Sequence, residues 1–196
     1  MPTATTWNDV YAVADRMRAF DRPWAIAGGW ALDCFLDEQS RDHGDVEIAV
    51  FRADQHALRE YLSEWSFEVV VPGEGRREPW AEGETLELPR HELHAETEDF
   101  ELHSLECLLN EHEDGEWIFR RDPRVTRSLD DFVQVSETGI PHLAPEIVLL
   151  YKLPIFGPHD EADFQRVAPE VAPEQRDWLR DSIQSVDPGH HWLSSL

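Results

Sequence analysis

Two adjacent glycines, Gly28 and Gly29, stand between two apolar runs and limit what this chain can fold into more than any other feature. Residues 24–27 ("WAIA") are short and apolar, as a buried strand is, and residues 30–36 ("WALDCFL") read as a helix. Glycine lets a chain turn sharply between such elements, because without a Cβ it reaches backbone conformations closed to other residues. The expected unit is strand, tight glycine turn, helix. Residues 45–51 then alternate, with Val46, Ile48 and Val50 on one face and Asp45, Glu47 and Ala49 on the other. One face suits a core; the other presents two carboxylates.

Around this unit the pattern predicts an amphipathic first helix carrying Trp7, Val10, Tyr11, Ala14, Met17 and Phe20, capped by Thr5 or Thr6. A further helix follows from about Asp54, then a strand at 67–71. Residues 72–100 are rich in Pro, Gly and Glu and read as long irregular connections holding one strand near 86–93. "LHSLECLL" (102–109) reads as a strand, and Asp114-Gly115 as the turn of a hairpin into a strand at 117–119. Beyond Arg120 the style changes: 141–152, 160–167 and 173–186 look helical, with proline at or near their starts. This divides the chain into a core at 1–120 and a helical C-terminal part at 121–196, packed on the core or continuous with it.

The 196 residues suit one domain with a real core. With 41 acidic against 17 basic residues the formal charge is −24, so the average surface repels phosphate backbones and anionic membranes, and nucleic acid is a poor fit as partner. Cys34 and Cys107 sit in apolar stretches without metal-ligand spacing, which predicts buried free thiols and a reducing, cytoplasmic setting. No leader pattern and no apolar run of membrane-spanning length appear, so a soluble, untargeted protein is expected. The sequence is silent on oligomeric state.

Asp45 and Glu47, two apart on a strand, would project from one face with Cα atoms roughly 6–7 Å apart. Bare carboxylates so placed raise each other's pKa, and a hard divalent cation such as magnesium relieves them. A third acid on a neighbouring strand would complete a site for two ions, and Glu106 is the candidate. The same pattern is also what a half-exposed edge strand shows in any acidic protein, and the residues alone leave both readings open. Lys152 is the single lysine among the 17 basic residues, which fits either a phosphate contact needing a compact ammonium or chance survival in an arginine-rich chain. Zinc hydrolysis is the rival metal chemistry, but "HELHAE" places His91 and His94 three apart without the helical two-His-plus-Glu spacing of zinc motifs.

The order of glycine turn, helix, polar loop "SRDHGD" and carboxylate strand, joined by "SLECLLNE", "WIFRRDPRV", "LAPEIVLLYK" and "HDEADF", resembles the nucleotidyltransferase superfamily with the polymerase β-like fold. The small enzymes that modify aminoglycoside and lincosamide antibiotics are the nearest in kind, and the likeness extends over most of the chain. It implies an α/β (α+β) fold: a nucleotidyltransferase-type mixed β-sheet flanked by helices, with a small helical C-terminal part. It implies that Gly28, Gly29 and the amides from Trp30 approach the nucleotide triphosphate, that Asp45, Glu47 and Glu106 hold magnesium (or manganese), and that Glu106 is the general base. Arg41 and His43 would contact phosphate or orient the metal site, with an ordinary surface ion pair as the other reading of Arg41 beside Asp42; Lys152 would contact phosphate; and Asp160 and Asp163 would cap a helix, orient Lys152 or touch a cationic substrate, capping being the plainer reading of Asp160. Two departures stand out: Glu47 where relatives commonly carry aspartate, and Asp37 where a glycine is usual.

The implied activity is transfer of a nucleoside monophosphate, AMP from ATP or its counterpart from another nucleotide, to a hydroxyl of a small molecule such as an aminoglycoside. The acceptor would enter under the 72–100 segment. The alternatives are a toxin-like enzyme modifying tRNA or protein, with Arg76, Arg77 and Arg90, or Arg120, Arg121, Arg124 and Arg127, as basic patches, and a non-catalytic nucleotide-binding relative.

Overall fold

The structure is a computed structural model and describes residues 4–98, 104–153 and 157–196. The chain runs α1 (Trp7–Met17), β1 (Trp24–Ile26), α2 (Gly28–Leu36), β2 (Glu47–Phe51), α3 (Gln55–Tyr61), β3 (Ser66–Val71), β4 (Arg76–Pro79), β5 (Glu92–Glu96), β6 (Ser104–Glu113) and β7 (Glu116–Ile118). It continues through β8 (Thr126–Ser128), β9 (Val133–Val135), β10 (Pro141–Leu143), α4 (Pro145–Lys152), α5 (Pro158–Val167) and α6 (Pro173–Val186). One mixed sheet takes the strands in the order β4-β3-β5-β6-β2-β1-β10-β9, while β7 and β8 extend it from β6. The pairs β2–β6 and β1–β10 are parallel; the other pairs are antiparallel.

The parallel pairing explains why β2 is apolar on both faces. Ile48, Ala49, Val50 and Phe51 are all buried, so the face that alternation left open closes over at Ala49, two residues beyond Glu47. Thr6 caps α1, its N–H donating to the Asp9 carboxylate at 2.7 Å. Cys34 and Cys107 are buried free thiols, and burial pushes the Cys34 thiol up to about 12. Among the described residues no helix is long and apolar enough to cross a membrane.

Three local expectations need correction. Helix α2 begins at Gly28 itself, so the glycines form its first turn and Trp30 lies one residue further in. Within 72–100 the segment is largely sheet: β4 forms a hairpin with β3, and the later strand lies at Glu92–Glu96. Residues 86–90 stay out of the ladder because Gln55 satisfies the Leu86 backbone from both sides, at 2.7 and 3.2 Å, and Pro89 has no N–H to offer; His91 already accepts from the Leu109 N–H at 2.7 Å. The end of that segment, and Leu102 and His103 of the expected strand, lie outside the described residues. Finally, 121–143 carries β8, β9 and β10. Pro141–Leu143 is a strand with His142 opposite Ile26, and the helix starts only at Pro145, where a missing N–H costs nothing.

Candidate active site

The register of three strands builds one wall of the site. Glu47 on β2 stands opposite Glu106 on β6, and Glu106 stands opposite His94 on β5, so the three side chains form a row on one sheet face. Asp45 precedes Glu47 by two residues and is exposed. Burial, then the charges of Asp45 and Glu106, push the Glu47 carboxyl up to about 8. Burial and the Asp45 charge push Glu106 up to about 7. Carboxylates that raise one another in this way are a fitting donor set for a hard divalent cation.

The carboxylates do not all converge equally. Among the described residues the tight group of possible ligand atoms, all within 4.8 Å, is Glu92, His94 and Glu106, with Asp45 and Glu47 beside it. His94 lies between two carboxylates, its Nε2 3.0 Å from Glu92 and its Nδ1 3.4 Å from Glu106. His91 turns away, its Nδ1 2.8 Å from the Pro89 carbonyl. The histidine pair singled out in "HELHAE" is thus split, and the half that matters was its glutamate and second histidine. No spacing rule marks them, because the contact depends on strand register.

The glycines sit against these acids. Gly28 has φ +59, and a Cβ there would fall 1.4 Å from Glu47 Oε2; a Cβ on Gly29 would fall 2.5 Å from His43 and 2.6 Å from Arg41. Glycine is therefore required twice over at position 28, by conformation and by the carboxylate lying across it. His43 itself is buried behind Gly29, its Nε2 2.6 Å from Asp33 Oδ2, and its ring lies 4.5 Å from that of Trp30. The Trp30 indole donates to Thr5 Oγ1 at 2.9 Å. Neither side chain reaches the cavity. Both instead buttress the glycine turn from behind.

A cavity of about 330 Å³ opens over Gly28, Gly29 and Glu47. Its far wall comes from the C-terminal helices and the loop after β7: Tyr151, Lys152, Asp160, Arg120 and Arg121, with Arg41 at the edge. Lys152 Nζ donates to Asp160 Oδ1 at 2.8 Å and lies 2.9 Å from Asp163 Oδ2. Burial pulls its ammonium down, but the two carboxylates outweigh that and its pKa ends above the ordinary value. Asp160 also caps α5, accepting from the Gly157 N–H at 3.0 Å, so both meanings read for it hold at once. Asp163, 5% exposed, is committed to Lys152 and to Arg41 at 3.4 Å and meets no cavity surface directly.

Comparison with known proteins shows the family and the fold. A sequence profile described as aminoglycoside-2''-adenylyltransferase matches residues 9–164. No curated protein sequence matches significantly. Among solved structures, the lincosamide antibiotic adenylyltransferase LnuA bound to lincomycin superposes with TM-score 0.58 at 16% identity, over 84% of this chain and 98% of that one. The antibiotic-resistance factor ANT(2'')-Ia in solution gives TM-score 0.58 at 16% identity, over 93% and 94%. The same enzyme in complex with adenylyl-2''-tobramycin gives 0.57 at 13%, over 91% and 97%. At these identities the superpositions establish a shared fold.

Proposed function

The chain belongs to the aminoglycoside-2''-adenylyltransferase family and is a nucleotidyltransferase, and from that premise we propose that it transfers AMP from ATP to a hydroxyl of a small-molecule acceptor, with magnesium, in the cytoplasm. One observation carries the proposal: Glu47 and Glu106 stand in register, with Asp45 beside them, against a left-handed glycine that opens a helix on the same cavity as Lys152. Asp45, Glu47 and Glu106 would hold the divalent ion, which when bound neutralises phosphate charge and eases departure of pyrophosphate.

Around that ion the chain's own residues divide the work. Gly28 and Gly29 line the cavity at the start of α2, where backbone amides would meet phosphate oxygens, and the space a Cβ would take there holds Glu47, His43 and Arg41 instead. Lys152, held by Asp160 and Asp163, offers an ammonium beside Glu47 for the oxygens of the transferred group. Glu106 takes the proton of the acceptor hydroxyl as its oxygen bonds to the α-phosphorus and the bond to pyrophosphate breaks. With the ion bound, its positive charge would hold Glu106 in the carboxylate form that this task needs. The contact with His94 holds it in place. Most of the rate enhancement would come from positioning and charge neutralisation.

The tRNA alternative loses ground on the arginines. Arg76, Arg77, Arg90, Arg124 and Arg127 are each paired with a carboxylate, which leaves no open basic track on those residues. The acceptor class named by the relatives, aminoglycosides and lincosamides, comes first in a screen. Incubation with labelled ATP and Mg²⁺ should give pyrophosphate and an acceptor heavier by one AMP, both abolished in Asp45→Ala. ATP binding without pyrophosphate release, whatever the acceptor, would identify a non-catalytic nucleotide-binding relative instead.

A further inference from the structure

Seven arginines looked in the sequence like basic patches, and five of them are neutralised by carboxylates. Arg120 and Arg121 differ. Both are half-buried, both line the cavity, and among the described residues neither has a carboxylate within salt-bridge distance. Arg16, Arg59, Arg166 and Arg176 also lack such a carboxylate, but of the three arginines that line this cavity Arg41 is paired with Asp163, and Arg120 and Arg121 are not paired. Their guanidinium groups lie 5.3 and 5.5 Å from the centre of the Tyr151 ring, and Arg121 also donates to the Tyr151 carbonyl at 2.6 Å. Tyr151 is in turn fixed by its hydroxyl, which donates to Asn110 Oδ1 at 3.2 Å, an oxygen that also accepts from the Trp117 indole at 3.0 Å. Burial, together with the neighbouring guanidinium for Arg121, works against each charge. Two adjacent cations held on a rigid aromatic platform and kept free of carboxylate partners are preset for an anion from outside.

We propose that Arg120 and Arg121 form an oxyanion subsite in the catalytic cavity, taking a phosphate or carboxylate group of a reactant. That the anion belongs to a reactant rests on the adenylyl-transfer reading; the subsite itself does not. Two sources share this chemistry: the phosphate tail of the nucleotide, or an anionic group on the acceptor. In the second case the acceptor is not an aminoglycoside-like polycation, because such a molecule would meet this pair with like charge.

Titration with inorganic phosphate at low salt and without divalent ions tests the subsite in the whole protein. Wild type should bind phosphate, and Arg120→Gln and Arg121→Gln should bind it about tenfold more weakly or worse, the worth of one charge-assisted hydrogen bond. Arg120→Lys keeps the charge without the fork and should fall between. Because it disturbs the Tyr151 contact least, it carries the test if Arg120→Gln fails to fold. ATP titrations on the same variants separate the sources: a parallel loss of ATP affinity assigns the anion to the nucleotide tail, and unchanged ATP affinity assigns it to the acceptor. Failure of wild type to bind phosphate, or equal binding by all variants, overturns the subsite. Failure of any acceptor to release pyrophosphate from ATP would sink the transfer reading alone and leave the phosphate result standing.

Discussion

The two walls of the cavity solve opposite electrostatic problems. On the strand wall Glu47 lines the cavity with Glu106 and Asp45 beside it, and burial, with the neighbouring negative charges added to it, pushes the Glu47 and Glu106 carboxyls up to about 8 and about 7. On the helix wall, Lys152 and Arg41 are already balanced by Asp160 and Asp163 at 2.8 to 3.4 Å. The strand wall is incomplete without an added cation. The helix wall is complete in itself, apart from the Arg120–Arg121 pair. The difference teaches that functional strain in this fold is concentrated in the acids, while the main cations are positioned by partners that never leave the protein.

If the walls differ in this way, changes on them should fail differently. The largest effect is expected for Glu106→Gln, which keeps shape and removes the base: kcat for AMP transfer should fall roughly 10²–10⁴-fold with a normal melting temperature. Gly28→Ala should approach that loss, since the new methyl would occupy the Glu47 carboxylate position at 1.4 Å. On the opposite wall, Asp163→Ala should damage stability first, by about 2 kcal/mol in denaturant unfolding, because it strips the buried partner from both Lys152 and Arg41. A stable Asp163→Ala with kcat lost would show instead that Asp163 is chemically engaged.

A smaller effect concerns pH. Glu47 and Glu106 hold protons in the folded state at pH values where the unfolded chain, with carboxyls near the ordinary 4.5, has released them. Without divalent ions the folded protein should therefore lose stability as pH rises from about 4.5 toward 8, by an amount on the order of 2 kcal/mol, and Glu47→Gln should flatten that slope. Melts in EDTA between pH 5 and 8 would show it, and a slope unchanged in Glu47→Gln would contradict the strain assigned to the strand wall.

The smallest prediction lies away from the site. Asp37 ends α2 in the left-handed conformation at φ 50, where glycine carries no Cβ penalty, so Asp37→Gly should raise stability by about 0.5–1 kcal/mol in thermal melts with activity unchanged.

What the sequence made legible follows from local periodicity. Asp45 and Glu47 could be read because strand alternation places them on one face, and Gly28 because a strand-to-helix junction asks for that residue. Lys152 stood out by being the single lysine. The contacts of His94 with Glu92 and Glu106, and the carboxylate-free state of Arg120 and Arg121, depend on register and on which partners happen to be absent, and neither leaves a spacing pattern. His43 is read toward phosphate because it flanks the acids in sequence, whereas its ring is buried against Asp33 and Trp30; the Trp30 side chain is buried as well, which leaves its backbone amide as the part that could meet a nucleotide. Strand β10 was hidden because Pro141, like Pro145 four residues later, looks like the proline at the start of a helix.

The most direct test is calorimetric titration of wild type and Glu47→Gln with ATP, each with and without Mg²⁺. If the strand wall is a cation site awaiting its ion, Mg²⁺ should tighten ATP binding by wild type at least about tenfold and have little effect on the variant. Equal Mg²⁺ dependence in the two proteins would contradict the assignment of those acids to a shared metal and nucleotide site.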